Sequence, residues 1–183
     1  IIDAFNNDID SVNKISKVRS GNILGGGDGG ENRLLTDIIN SIKNNENINL
    51  RNPNSIRPWQ FVLDSVGGYL LVAQENFEKN IPETYNLNSA TAGNDTVLEL
   101  TKKLVNRFES PIEIIIDNNN EYIEAKELRI SSKKAVKKLN WKNFYNTEET
   151  IENIFLWENL KLNPSVIEVT YNQVNEYLEK ASG

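Results

Sequence analysis

The chain has 183 residues with a net charge of -6, and its 38% hydrophobic and 25% charged residues are typical of a folded protein of one domain or slightly more. The negative charge argues against a general nucleic-acid binder, because phosphate affinity comes from clustered Lys and Arg, and no apolar run approaches the ~18 residues of a membrane span. Because the chain has neither Cys nor His, disulfides, thiolate or imidazole metal sites and Ser-His-Asp or Cys-His catalysis are excluded, and we expect a cytoplasmic protein without a bound metal.

The first half of the chain alternates predicted strands and helices. In order, we predict the end of a helix at 1–7, a strand at 14–20, a glycine-rich loop, a helix at 33–45, a strand at 47–51, a proline-containing loop, and a helix that begins at Asp64 or Ser65. Asn32 or Asp28 is in position to cap the helix at 33–45. The apolar residues of this helix form one stripe: Leu34, Leu35, Ile38, Ile39 and Ile42. In the later helix, one face carries Val66, Leu70, Ala73 and Phe77.

The second half continues the alternation. We predict strands at 84–88, 112–116 and 127–130, the second of them well buried, and helices at 96–108, 133–139, 149–160 and 171–181. Ser131 or Ser132 would cap the helix at 133–139, and Asn146 with Glu149 is a capping-type start for the next. The aligned residues are Val97, Thr101, Leu104 and Phe108 in the first of these helices, and Tyr171, Val174, Leu178 and Ala181 in the last. The predicted class is therefore α/β, without a linker that would separate two domains.

Two short motifs match cofactor patterns by spacing. Gly25-x-Gly27-x-x-Gly30 fits the dinucleotide fingerprint between a strand and a helix, but the acid expected ~20 residues further on is missing, so we interpret it as a flexible loop beside a site. Tyr122-x-x-x-Lys126 fits the Tyr-Lys pair of short-chain dehydrogenases. It precedes a strand-like segment rather than lying on a clear helix, and the spacing is interpreted as a coincidence.

Arginine usage is the stronger signal, because the chain has six arginines against fourteen lysines. Arg51 and Arg57 flank a loop stiffened by Pro53 and Pro58, and Arg33 stands at a helix start. Planar guanidinium forks and a helix N-terminus suit a nucleotide diphosphate. Surface ion pairing with the abundant acids is the open alternative. Trp59, at the loop-helix junction, is a candidate substrate-binding residue that could stack on a base or sugar, although packing in the core is favoured.

Three segments in this order, VRSGNILGGGD, NRLLTDII and LRNPNSIRPWQFVLDSVGGYLL, resemble the nucleotide-sugar 4,6-dehydratases of the extended short-chain dehydrogenase/reductase superfamily, in particular those that act on CDP-glucose. The likeness continues through LRISSKKAVKKLNW, ETIENIFLWE and YNQVNEYL. It implies that residues 1–183 are the C-terminal, substrate-binding half of such an enzyme, with the last Rossmann strands and a small α/β substrate-binding domain.

The resemblance also implies site residues. Arg57 would grip the substrate diphosphate, and Asn22 would contact the sugar or its phosphate. Arg33 and Leu34 would touch the nucleotide, with Arg51 and Asn52 near the base or ribose. Glu124 and Arg129 fall where related enzymes close over the nucleotide. Phe61 and Gly29 depart from the family, which usually has His and Trp at these positions.

In this family the NAD fingerprint, the Tyr-Lys pair and the acid and base that eliminate water precede the region matched here. The resemblance therefore implies an NAD-dependent lyase in the intact protein, with a homodimer possible, and no turnover by this chain alone. Another nucleotide-sugar dehydratase, an epimerase, or a non-catalytic binding or interaction fragment are the alternatives left open.

Overall fold

The computed structural model of the protein describes residues 14–88, 95–117, 125–160 and 165–183, together with Ile2 and Asn6, which are both helical. Within these residues the chain forms six strands and six helices. In chain order they are β1 (Lys17–Ser20), β2 (Asn22–Leu24), α1 (Leu34–Asn44), β3 (Ile48–Leu50), β4 (Trp59–Phe61), α2 (Val62–Lys79), β5 (Thr84–Leu87), α3 (Val97–Arg107), β6 (Ile114–Ile116), α4 (Lys133–Leu139), α5 (Thr147–Leu160) and α6 (Val166–Ser182).

The strands form three two-stranded sheets, and every pair is parallel. Lys17 of β1 lies opposite Thr84 of β5, Asn22 of β2 opposite Trp59 of β4, and Ile48 of β3 opposite Ile114 of β6. Parallel strands need crossover connections, and each connection here contains at least one helix. The predicted α/β class is confirmed.

The chain passes from the first sheet to the second within one residue, Gly21. The Gly21 N–H donates to the carbonyl of Leu87, and the Asn22 N–H donates to the carbonyl of Pro58. A Cβ at Gly21 would lie 2.1 Å from the Pro58 carbonyl oxygen, so only glycine fits this close crossing. Asn22 is thereby fixed beside the loop that carries Arg57.

The main hydrophobic core joins α1, β3, α3 and α5. Its most deeply buried members are Ile38, Leu100, Leu104 and Ile154, each with an exposed fraction of 0%. A second cluster lies around β5, α2 and α4 and contains Val72, Tyr85, Leu87, Ala135 and Trp141. The predicted stripe of α1 is confirmed, since Leu35, Ile38 and Ile39 are buried while Leu34 and Ile42 pack against the core.

The predicted helix cap is confirmed at the start of α5 and is wrong at the start of α1. Asn146 and Glu149 exchange two 2.9 Å hydrogen bonds at the start of α5, as the capping pattern predicts. At α1 the expectation of an Asn32 or Asp28 cap is wrong, because Arg33 occupies the N-cap position without a side-chain bond. The Asp28 carboxylate instead accepts from the Gly30 N–H.

The strand predictions need correction at four places. β2 and β4 were not predicted, since the first lies in a glycine-rich segment and the second at a loop-helix junction. The predicted strand at 127–130 is absent, and Glu127 makes only an isolated bridge to Ile56. The strand predicted at 112–116 is present as β6 but is less buried than predicted, because Ile115 and Ile116 are 44% and 43% exposed.

The apolar face that periodicity gives α2 does not turn toward the core. Val66, Leu70 and Phe77 are 41%, 66% and 91% exposed, while Asp64, Ser65, Gly68 and Val72 face inward. The inward face uses Gly68 because a Cβ there would lie 2.4 Å from Leu87 Cδ1, so small residues let the helix approach β5. The helix start is also earlier than predicted, at Val62.

The apolar face of the last helix, α6, also points toward solvent, since the side chains of Tyr171 and Leu178 are 67% and 54% exposed. It contacts the rest of the chain through Tyr177, which packs edge-on against Phe144, and Gln173, which donates to the Asn153 carbonyl. Within the described ranges, every helix is too short or too polar to span a lipid bilayer.

Candidate functional site

A cleft of about 580 Å³ lies where the start of α1, the end of β3 and the proline-containing loop meet. Its volume falls within the roughly 300–1,000 Å³ of small-molecule sites. It is lined by Asn22, Asn32, Leu34, Asp37, Asn49, Leu50, Arg51, Asn52, Arg57, Trp59 and Val97. Asparagine amides and two guanidinium groups predominate among these residues, so the cleft is polar and rich in hydrogen-bond donors.

The structure brings together six residues that the sequence predicts for the site. Asn22 opens β2, Leu34 opens α1, Arg51 and Asn52 follow β3, and Arg57 and Trp59 stand at the start of β4. The cleft thus collects residues from four separate parts of the chain.

The proline-containing loop is held in place by the start of α3. The Val97 N–H donates to the carbonyl of Ser55 at 2.9 Å, and the Leu98 N–H donates to the carbonyl of Pro53 at 2.9 Å. The first N–H groups of a helix have no partner within the helix, and here the loop supplies acceptors for two of them. The loop that carries Arg51 and Arg57 is therefore ordered before any ligand binds.

The Arg57 side chain is positioned by backbone carbonyls. Its Nη1 atom donates to the Ile56 oxygen at 3.0 Å and to the Ala125 oxygen at 2.9 Å. The Ile56 N–H in turn donates to the Lys126 carbonyl, which joins the loop to the segment at 125–128. This support orients the guanidinium at the cleft wall, which lowers the entropy lost on binding an anion.

Trp59 is primarily a core residue, as the sequence interpretation favoured. It is 3% exposed, belongs to the main core, and its Nε1–H donates to the Asp95 carbonyl at 2.8 Å. It also lines the cleft, where it forms part of the wall.

Three predicted residues are not among those that line the cleft. Arg33 is 62% exposed, and its guanidinium lies beside Gly30 and 3.6 Å from the Asp28 carboxylate. Arg129 is 60% exposed and forms an ion pair with Glu127. Glu124 lies outside the described residues. Exposed ion pairs of this kind contribute little to stability.

Sequence reasoning missed five of the lining residues, Asn32, Asp37, Asn49, Leu50 and Val97. A signal for Asp37 was present, because residues three apart share a helix face and Asp37 stands three residues after Leu34. Asn49 alternates with the buried Ile48 and Leu50, so its side chain belongs to the opposite face of β3. Counting along the helix or strand from a predicted site residue to other residues on the same face therefore identifies Asp37 and Asn49.

The cleft carries charges of both signs. Partial burial raises the pKa of Asp37, and the positive charge of Arg51 acts in the opposite direction. Asp37 and Arg51 therefore lie close enough to influence each other. The remaining charged residue of the cleft is Arg57, so the net charge of the cleft is positive.

The glycine loop does not fit a dinucleotide diphosphate. In a true fingerprint, glycines let the phosphates approach the backbone. Here a Cβ at Gly26 or Gly27 would lie 2.5 or 2.6 Å from Trp157, so the indole ring occupies that space. Gly27 also has a φ of +78°, and its N–H donates to Glu158. The glycines serve packing within the chain, which agrees with the interpretation of this segment as a loop rather than a dinucleotide fingerprint.

Two predicted segments fall mainly outside the described residues. Tyr122 of the Tyr-Lys spacing lies there, as does the predicted helix end at 1–7 except for Ile2 and Asn6. In the part of the chain that the structure describes, no three carboxylate side chains come together as metal ligands.

Comparison with known proteins places the chain among nucleotide-sugar enzymes. The profile of the family described as GDP-mannose 4,6 dehydratase matches residues 16–154. CDP-glucose 4,6-dehydratase of Salmonella typhimurium is 34% identical over 145 residues, which cover 78% of this chain and 40% of that enzyme.

Solved structures share the fold at low identity. UDP-glucose 4-epimerase of Stenotrophomonas maltophila, with bound NAD and formylated UDP-arabinopyranose, superposes with a TM-score of 0.69 at 15% identity, over 80% of this chain and 48% of that one. UDP-glucuronic acid 4-epimerase of Bacillus cereus, in complex with UDP-glucuronic acid and NAD, gives 0.68 at 14%, over 79% and 45%.

The chain thus spans less than half the length of these relatives, and its α/β fold matches that part of the epimerases. The family profile covers more than half of the chain, and the Salmonella enzyme exceeds 30% identity. The chain therefore belongs to the GDP-mannose 4,6-dehydratase family of the extended short-chain dehydrogenases/reductases.

Proposed function

We propose that the cleft binds the nucleotide diphosphate part of a nucleotide sugar, and of CDP-glucose in particular. The observation that carries the proposal is that Arg51 and Arg57 line one cleft together with Asn22 and Asn52. Two guanidinium groups and several amides can each donate hydrogen bonds to phosphate oxygens, and charge-assisted bonds of this kind are the strong ones.

The positions along the cleft suggest a role for each residue. Arg57, supported by two carbonyls, grips the diphosphate, and Asn22 contacts the sugar or its phosphate. The backbone at Leu34 offers the N-terminus of α1, which favours negative charge. Arg51 and Asn52 lie toward the base or ribose, and Trp59 closes the wall.

For the whole protein we propose an NAD-dependent nucleotide-sugar 4,6-dehydratase, a lyase, of which this chain is the C-terminal, substrate-binding half. The support is the 34% identity to CDP-glucose 4,6-dehydratase. In this proposal β1 and β5 are the last strands of the Rossmann sheet. The groups that oxidise the sugar and eliminate water then lie outside this chain, so the chain alone binds substrate without turning it over.

Calorimetry with CDP and CDP-glucose tests the binding proposal. The 183-residue chain is expected to bind both weakly, and added salt should weaken binding further because it screens the arginine charges. Arg57→Ala should lower the affinity by about tenfold, since one charge-assisted hydrogen bond contributes ~1.5–3 kcal/mol.

Arg19→Ala is the matched control, because Arg19 is exposed on β1 and is not among the residues that line the cleft. It removes the same charge and should leave the affinity unchanged. Equal binding by the Arg57→Ala variant would remove Arg57 from the site. Absence of binding by a wild-type chain that circular dichroism shows to be folded would overturn the proposed function.

A further inference from the structure

Asp37 is an acid in a cleft whose other charged groups are cations. It lies one helical turn after Leu34 on α1 and lines the same cleft as Arg51. A carboxylate repels phosphate oxygens, so Asp37 does not serve the diphosphate itself. It must face a part of the ligand that donates hydrogen bonds.

The Asp37 carboxylate has no hydrogen bond or ion pair among the residues that the structure describes, apart from the electrostatic influence of Arg51. Other acids of the chain are engaged: Asp64 accepts two backbone N–H groups, Asp95 pairs with Lys103, and Glu158 pairs with Lys43. Partial burial has already removed some of the water from Asp37, as its raised pKa indicates. A ligand donor would restore the lost hydrogen bonds.

We propose that Asp37 accepts a hydrogen bond from the exocyclic amine of cytosine and so selects a cytidine over a uridine nucleotide. The proposal rests on the proposed function and deepens it. Along its pairing edge cytosine presents an amine donor followed by two acceptors, whereas uracil presents an acceptor, a donor and an acceptor. An acid beside an arginine matches cytosine, because Asp37 accepts from the amine while Arg51 donates to the neighbouring acceptors.

The hydrogen-bonding groups of uracil do not match those of Asp37 and Arg51. Its O4 carbonyl would stand against the Asp37 carboxylate, and two acceptors cannot form a hydrogen bond. A site built to bond one polar group disfavours the analogue that lacks it, because the partly desolvated Asp37 carboxylate would then face an acceptor instead of a donor. A ribose diol is the other donor that suits a carboxylate, but it would make no distinction between the two bases.

Calorimetry of the full 183-residue chain with CDP and with UDP tests the assignment. The wild-type chain is expected to bind CDP about tenfold more tightly than UDP. Asp37→Ala should weaken CDP binding by about tenfold, because it removes the acceptor for the amine, and should leave UDP binding unchanged or stronger, because it removes the carboxylate that repels O4. Asp37 is exposed on the helix surface, so the variant should keep the wild-type unfolding temperature.

Glu46→Ala is the control, since Glu46 is an exposed acid just beyond α1 that is not among the cleft residues, and it should change neither affinity. Equal weakening of CDP and UDP by Asp37→Ala would place Asp37 on the ribose and overturn the inference. Equal wild-type affinities for the two nucleotides would also overturn it, while leaving the diphosphate grip intact. If neither nucleotide binds, the proposed function fails, and this inference with it.

Discussion

The Asp64 carboxylate joins helix α2 to the segment that precedes α5. It is 0% exposed and accepts hydrogen bonds from the Phe144 N–H at 3.0 Å and the Tyr145 N–H at 3.3 Å. Burial raises its pKa from 3.8 to about 6, although these two hydrogen bonds act in the opposite direction. Desolvation of the charge thus outweighs the bonds that stabilise it.

This raised pKa makes stability depend on pH in a defined direction. Because the folded state holds the Asp64 proton more tightly than the unfolded state, its contribution is fully present below about pH 4 and is lost as the pH rises through 6. We expect the free energy of unfolding of the wild-type chain to fall by about 2–3 kcal/mol over this range relative to Asp64→Asn, which cannot ionise. Urea unfolding at several pH values measures the difference, and parallel profiles for the two proteins would contradict the prediction.

At the same scale, the chemistry of single residues explains which parts of the site could be predicted. Arg51 and Arg57 were identifiable because arginine is rare in this chain and prolines flank the loop. The position of Arg33 outside the cleft could not be predicted from the sequence, because the direction of a side chain at a helix start depends on its local partners. Here Asp28 and Gly30 hold it against the glycine loop.

The ends of two helices are joined by an ion pair of which only the acid is buried. Lys43, in the last turn of α1, contacts Glu158 of α5, whose side chain is 3% exposed and also accepts from the Gly27 N–H at 2.7 Å. Lys43 itself is 39% exposed. The two partners are therefore unequal, because the lysine can regain water while the glutamate cannot.

We expect variants of Lys43 and Glu158 to lower the free energy of unfolding by different amounts. Lys43→Met should destabilise the chain by about 3 kcal/mol at pH 7, because it removes the ammonium partner of a buried carboxylate. Glu158→Gln should cost less, since the amide oxygen can still accept from Gly27 and Lys43 can turn to solvent. Urea unfolding of both variants measures the order.

The double variant, Lys43→Met with Glu158→Gln, provides the control. It removes both charges and should be more stable than Lys43→Met alone, as buried pairs replaced by neutral groups often are. A double variant at least as unstable as Lys43→Met alone would show that loss of packing, not an unpaired charge, sets the cost.

Helical elements were predictable in extent but not always in orientation. The stripe of α1 was correctly assigned to the core because its other face is polar. In α2 the periodicity aligned Val66, Leu70 and Phe77, yet the helix buries Asp64 and Gly68 instead. Periodicity shows which residues share a face, but close approach to β5 required the face with the smallest residues. The short strands β2 and β4 were missed for a related reason, since three residues carry too little alternation to detect.

For the molecule as a whole, the outward apolar residues of α2 form an exposed stripe. Val66, Leu70 and Phe77 follow one another at spacings of four and seven residues and are all exposed. Soluble monomers rarely expose contiguous apolar patches of large area, and such patches promote association.

We therefore expect the chain to self-associate as its concentration rises. Replacing Leu70 and Phe77 together by Lys should shift the population toward monomer without lowering the free energy of unfolding by more than about 0.5 kcal/mol, because both side chains are exposed. Sedimentation velocity at increasing concentration measures the association. Val136→Lys, which changes an exposed residue of α4 outside the stripe, should have no effect. Association that persists in the double variant would show that the stripe does not drive it.

The pairing of the strands has a kinetic consequence. Lys17 pairs with Thr84, Asn22 with Trp59 and Ile48 with Ile114, so none of these three strand pairs can form as a local hairpin. Long stretches of chain must lose conformational entropy before any of these stabilising contacts forms. A high contact order of this kind slows folding. The helices can form early, while the sheets close late. During synthesis β1 and β3 therefore emerge with unsatisfied edges well before their partners do, which is the period when this chain is most open to misassembly.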